Sequence, residues 1–88
     1  MKATAEEKRR MARIVELGCI CCGAPAEVHH CRTGLGMSQR LHSRILPIYE
    51  WHHRTGPSSI HHNKPLFEDL HGTEAMLEAA LKATLGEI

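Results

Sequence analysis

Large aromatic side chains are almost missing from this sequence: Tyr49, Trp51 and Phe67 are the only three in 88 residues. A single domain this short buries too little apolar surface to be comfortably stable, and without bulky fillers the deficit is worse. Some additional tie is therefore needed. The sequence also lacks any apolar run approaching the ~20 residues of a membrane helix, and its opening residues, MKATAEEKRR, lack the apolar stretch of a secretion signal. These absences lead to the expectation of a soluble, intracellular chain with no membrane contact. In a reducing compartment Cys19, Cys21, Cys22 and Cys31 read as thiolate ligands or free thiols rather than as a disulfide framework. What the chain has in excess is histidine, eight residues, beside those four cysteines. That imbalance points to metal.

Net charge is close to neutral at +1, but it is divided along the chain. Between positions 29 and 64 stand Arg32, Arg40, Arg44, Arg54 and Lys64 against the single acid Glu50, whereas positions 65–88 carry Lys82 against five acids. The basic middle also holds seven of the eight histidines. A polyanion such as nucleic acid suits that segment, held by attraction to phosphate rather than by reading of bases.

Local patterns predict a helix over 4–17, with Thr4 capping and Glu7 three positions on. Gly18 stops it. The segment GCICCGAP is a tight turn, AEVHHC a first strand, and RTGLGMSQRLHS a long exposed loop of the kind that often carries function. A second strand is expected in RILPIYEW, confined by Pro47 to an edge or a bend. His52-His53 then opens a turn or a helix no longer than one turn, because TGPSS follows. A last helix runs from Thr73 to a stop at Gly86, with Met76, Leu77, Ala80, Leu81 and Leu85 on its apolar side. His42 and His71 read as surface residues.

Cys19-x-x-Cys22 before a glycine turn has the form of a knuckle that presents two thiolates to one zinc ion. The matching pair falls at 49-x-x-52, where His52 can ligate but position 49 is tyrosine. A structural zinc on Cys19, Cys22 and His52 thus lacks one corner, for which Cys21, Cys31 or water are candidates. Such an ion would contribute folding free energy that the small core cannot. His29-His30 lies at a strand end, where successive side chains point to opposite faces, so one can ligate while the other takes a proton from water. His53 and His61 or His62 recur at the far end of the same basic segment.

The order CxxC, then VHH, a glycine-containing loop, LPIYEWHH and SIHHNK resembles the HNH (ββα-metal) endonucleases. More narrowly, HHCRTGLGMSQR with WHHRTGPSSIHH is similar to the small phage nucleases related to the phage recombination-enhancement nuclease. The resemblance implies an α+β fold: a small ββα-metal core at about 18–72 with a zinc knuckle, flanked by an N-terminal and a C-terminal helix within one domain spanning 1–88. It makes His29 and His53 ligands of a catalytic divalent ion, with His61 or His62 the third, and His30 the general base. Mg²⁺, Mn²⁺, Ni²⁺ or Zn²⁺ would serve a hydrolase that cuts DNA phosphodiester bonds, and an all-histidine set favours a borderline transition metal. Arg32, Arg40 and Arg54 would contact DNA phosphates. A phage or prophage gene product in the host cytoplasm is implied, with a recombination or replication protein as a possible activator. The asparagine that orients the base in such enzymes should fall near Ser43 or Arg44, and Tyr49 replaces an expected cysteine. Those two departures leave room for a non-catalytic zinc module or a decayed nuclease.

Overall fold

The computed structural model describes residues 3–32 and 41–87. Arg40 and most of the expected loop at 32–43 lie outside them. Helix α1 spans Ala5–Glu16 and opens on a reciprocal capping box, in which the Thr4 hydroxyl accepts from the Glu7 N–H at 3.1 Å and the Glu7 carboxylate from the Thr4 N–H at 2.8 Å. Strands β1, Glu27–His30, and β2, Ile45–Ile48, pair antiparallel with Glu27 opposite Ile48 and His30 opposite Ile45. In a two-stranded sheet each strand is an edge. Pro47 is tolerated there although it donates no ladder hydrogen bond.

All four residues of β2 are buried, because α1 and the last helix, α3 (Glu74–Leu85), both pack upon that strand. The core gathers Ile14 from α1, Ile45, Leu46 and Ile48 from β2, Phe67, and Leu77 and Leu81 from α3. Tyr49 and Trp51 contribute little, being 39% and 51% exposed. The strand is shorter than RILPIYEW, since the chain leaves the sheet at Tyr49 to enter a single π turn, Trp51–Thr55.

Helix α2, Lys64–His71, is not predicted by the local patterns, which end at the glycine- and proline-rich turn before it, although the ββα core implied by the resemblance calls for a helix after the second strand. Asn63 caps it through its side-chain oxygen, which accepts from the Leu66 N–H at 3.2 Å, and Pro65 sits in the first turn where no amide donor is needed. Helix α3, Glu74–Leu85, begins at the Thr73 cap and ends on Gly86 in a left-handed conformation (φ 72°), as its sequence pattern predicts. The architecture is a small α+β fold, a ββα core with flanking helices. Among the described residues no helix is long and apolar enough to cross a membrane.

Candidate metal centre

Pleating of β1 turns alternate side chains to opposite faces, and His29 goes inward, 2% exposed. His53 stands on the π turn, where its N–H donates to the Tyr49 carbonyl at 2.8 Å and the Gly56 N–H donates back to Trp51 at 2.9 Å. The chain then doubles over through TGPSS, so that the Ile60 and His61 N–H groups donate to the carbonyls of His52 and His53 at 2.9 and 3.2 Å. That fold-back brings His61 beside His53.

The three imidazoles converge. One donor atom from each of His29, His53 and His61 lies within 4.8 Å of the others, and the ring centres are 5.1, 5.3 and 4.6 Å apart. Nε2 of His53 and Nε2 of His61 are 3.0 Å apart. A tetrahedral ion with metal–nitrogen bonds of ~2.0–2.1 Å sets its ligand nitrogens about 3.4 Å apart, which matches this spacing. Nδ1 of His29 is buried without a hydrogen-bond partner among the described residues. Buried ring nitrogens are normally satisfied, and an ion ligated at Nδ1 would satisfy this one.

Each of two histidines is held from behind by a carboxylate. His29 Nε2 lies 2.7 Å from Glu74 Oε2, and His53 Nδ1 lies 2.9 Å from Glu27 Oε1. A carboxylate on the far ring nitrogen fixes the tautomer and turns the other lone pair toward a metal. Glu74, the first residue of α3, is 1% exposed, and its charge is balanced by the Arg32 N–H at 3.1 Å, the Lys64 ammonium at 3.5 Å and the helix N-terminus itself. The Arg54 guanidinium and then His53 hold the Glu27 carboxyl down to about 2. Burial pulls His53 and His61 below the ordinary imidazole range, in His53 against the pull of Glu27, so both rings favour the neutral form that ligates.

His29 and Glu74 form a second close group with Cys31. Burial, followed by the charges of Glu78 and Glu74, pushes the Cys31 thiol far up, which disfavours the thiolate a metal needs. His30 lines the same depression of about 160 Å³ as Val28, His29, Arg32, His53 and His61. Its Nε2 lies 3.1 Å from Nδ1 of His42, so His42 has a place at the site rather than on open surface. The expected orienting positions are otherwise engaged: Arg44 forks onto Glu78 at 2.9 and 3.1 Å, and the Ser43 carbonyl accepts from Arg10 at 3.3 Å.

Not every expected site residue is brought together. His62 is exposed and stands outside the histidine group, its N–H bonded to the Ser59 carbonyl. Cys19 Sγ accepts from the Cys21 N–H at 3.3 Å; burial pushes its pKa up, but hydrogen bonding to the sulfur leaves it lowered, whereas burial and the neighbouring Cys19 raise Cys21 to about 12. His52 is not gathered with these cysteines at ligand spacing. Its ring lies instead 4.8 Å from that of His71 and 6.2 Å from that of Tyr49. Arg54 is half-exposed and forks onto Glu27 at 2.9 and 3.2 Å.

Sequence patterns alone missed Glu27, His42 and Glu74. Glu27 had a signal, because it stands two positions before His29 and shares its strand face. Glu74 is 45 residues from His29, and only packing of α3 brings them together. No curated protein and no solved structure matches the chain. Residues 3–81 match the family described as recombination enhancement, RecA-dependent nuclease, and with that coverage the chain belongs to this nuclease family.

Proposed function

We propose that this protein is a metal-dependent DNA endonuclease of the HNH type, with His29, His53 and His61 as metal ligands and His30 as general base. The observation that carries the reading is the convergence of three imidazoles, two of them locked from behind by Glu74 and Glu27. An all-nitrogen set suits Zn²⁺ or Ni²⁺ better than Mg²⁺ or Mn²⁺. When bound, the ion supplies Lewis-acid stabilisation of charge on the scissile phosphate and on the departing oxygen.

The chain's own residues supply the rest. His30 takes a proton from water, whose oxygen forms a bond to phosphorus as the bond from phosphorus to the 3′-oxygen breaks. His42, 3.1 Å from His30, holds that ring and shares the positive charge it gains. Arg32 lines the depression and offers donors to the phosphate, and half-exposed Arg54 adds charge from the same basic segment, to which Arg40, outside the described residues, also belongs in sequence. Donors directed at phosphate carry no sequence information, so cleavage should show little sequence preference. The family description names RecA, so a RecA-coated DNA strand is the substrate this reading favours.

The test is nicking of supercoiled plasmid, and of a RecA-bound target, with each of Mg²⁺, Mn²⁺, Ni²⁺ and Zn²⁺. His30→Ala should lower the cleavage rate by about 10²–10⁴-fold while leaving DNA binding intact, and EDTA should stop it. Cleavage indifferent to both would refute the assignment. Binding without cleavage under every condition would favour a zinc-bearing interaction module.

A further inference from the structure

We propose that the groove along α1 lined by Arg9, Arg10 and Arg13 is a second anion site, which holds a backbone phosphate of the DNA flanking the one cut beside His30. This choice of occupant rests on the DNA endonuclease proposed for the histidine centre. The groove has a volume of about 320 Å³, against about 160 Å³ at His30, and Glu6 and Glu87 complete its lining.

No charge run marks it in the sequence, because residues 4–17 carry four cations and three acids. The fold sorts them. Glu7 is taken up by the capping box, where it accepts from the Thr4 N–H at 2.8 Å. Arg9 and Arg13 stand four positions apart, on one face of the helix, a like-charge pair that works against helix formation. Folding gains nothing from such a pair, whereas a bound anion does.

The groove already receives an oxyanion. The Glu87 carboxylate accepts from Nε and Nη2 of Arg10 at 2.9 and 2.7 Å and lies 3.8 Å from Nη2 of Arg13. A guanidinium takes phosphate with the same fork. Glu87 engages Arg10 but leaves donors over: Arg13 is 63% exposed at a long contact, and exposed Arg9 has no ion pair or side-chain hydrogen bond among the described residues. The place suits a flanking phosphate. Nη1 of Arg10 donates to the Ser43 carbonyl at 3.3 Å, and His42, the residue before, lies 3.1 Å from His30. DNA seated at His30 that leaves on this side meets the groove. At one phosphate per 3.4 Å of axis on each strand, the 34 Å extent of the molecule spans about ten phosphates of a strand, so contacts beyond the scissile one are within its reach.

Binding can be read apart from cleavage. The full-length His30→Ala protein, with Zn²⁺, is titrated into a short fluorescent DNA duplex at several salt concentrations. Adding Arg9→Gln and Arg13→Gln together should weaken binding by roughly 10-fold or more near 0.1 M salt and make the salt dependence shallower by about two phosphate contacts. Lys8→Gln removes a cation from α1 outside the groove and should change little. Glu87→Gln should tighten binding, because it releases Arg10 to phosphate even as it loosens the fold; a purely structural groove predicts the reverse. Unchanged affinity in the arginine pair, an equal loss from Lys8→Gln, or no tightening from Glu87→Gln overturns the proposal. So does DNA affinity that holds while affinity for RecA-coated DNA falls, which assigns the groove to a protein surface. Should the arginine pair fail to fold, Glu87→Gln decides alone: tighter binding supports the site and any other result rejects it. These outcomes do not depend on cleavage, so a parent protein inactive with every metal would refute the nuclease and leave the groove to be judged by its own affinities.

Discussion

Glu74 is the residue on which the candidate centre leans most heavily. A carboxylate 1% exposed would be costly if isolated, yet it is met by His29 Nε2 at 2.7 Å, the Arg32 N–H at 3.1 Å and Lys64 at 3.5 Å. Glu27 does the same for His53, but its side chain is 34% exposed and shared with Arg54, so water can replace part of what it contributes. Burial therefore ranks the two. Glu74→Gln preserves the shape and removes the charge, and it should weaken Zn²⁺ or Ni²⁺ binding at the histidine group by about 10–100-fold, read by competition with a chromophoric chelator. Glu27→Gln should cost less. Equal losses, or a larger one at Glu27, would contradict this ranking. Glu74→Ala should in addition destabilise the fold by ~1–3 kcal/mol, because it leaves buried donors without their acceptor.

At the scale of elements, what the sequence made legible and what it hid follow from how local each determinant is. The caps at Thr4 and Thr73 and the stop at Gly86 are signals confined to one turn, and α1 and α3 begin and end where those signals stand. Helix α2 has an equally good cap in Asn63 and a suitable Pro65, but TGPSS and a histidine pair precede it and mask its start. The histidines of the centre were visible because their residue type is rare and clustered. Which of His61 and His62 joins them depends on the fold-back after the π turn, and the support from Glu74 and the contact of His42 depend on tertiary packing, which no short pattern records. The π turn is the element that aims His53, and it fits tightly over Gly56. A methyl group added there would lie 2.5 Å from the Trp51 carbonyl oxygen and 2.8 Å from its indole. The Gly56 backbone is ordinary (φ −82°), so the obstacle is space and not conformation. Gly56→Ala should thus destabilise by ~1–3 kcal/mol and weaken metal binding at His53 together with it, measurable by thermal melting with and without Zn²⁺. A variant as stable as the parent would show that the turn yields more easily than its contacts suggest.

Across the whole molecule, a chain of 88 residues with one large buried aromatic, Phe67, has few ways to fasten its ends. Arg10 of α1 supplies one: it forks onto Glu87, just beyond α3, at 2.7 and 2.9 Å, and also donates to the Ser43 carbonyl before β2 at 3.3 Å. The pair spans 77 residues of sequence, so it ties both flanking helices to the sheet. Exposed ion pairs contribute little, but this one is forked and its side chains are only 19% and 29% exposed, which places it near the upper end, about 1 kcal/mol. The Arg10 guanidinium holds the Glu87 carboxyl below its ordinary range of about 4.3. A carboxyl depressed on folding stabilises fully above its unfolded pKa, and that stabilisation is lost as pH falls through the lower folded value. At pH 7 Glu87→Gln should melt about 4–8 °C below the parent, as expected of ~1 kcal/mol in a domain of this size. The gap should hold down to about pH 5 and close as pH falls further, and Arg10→Gln added to Glu87→Gln should cost less than the two changes separately. A gap constant from pH 7 to pH 3 would mean that Glu87 acts through packing alone and that the charge at the joined ends does not matter.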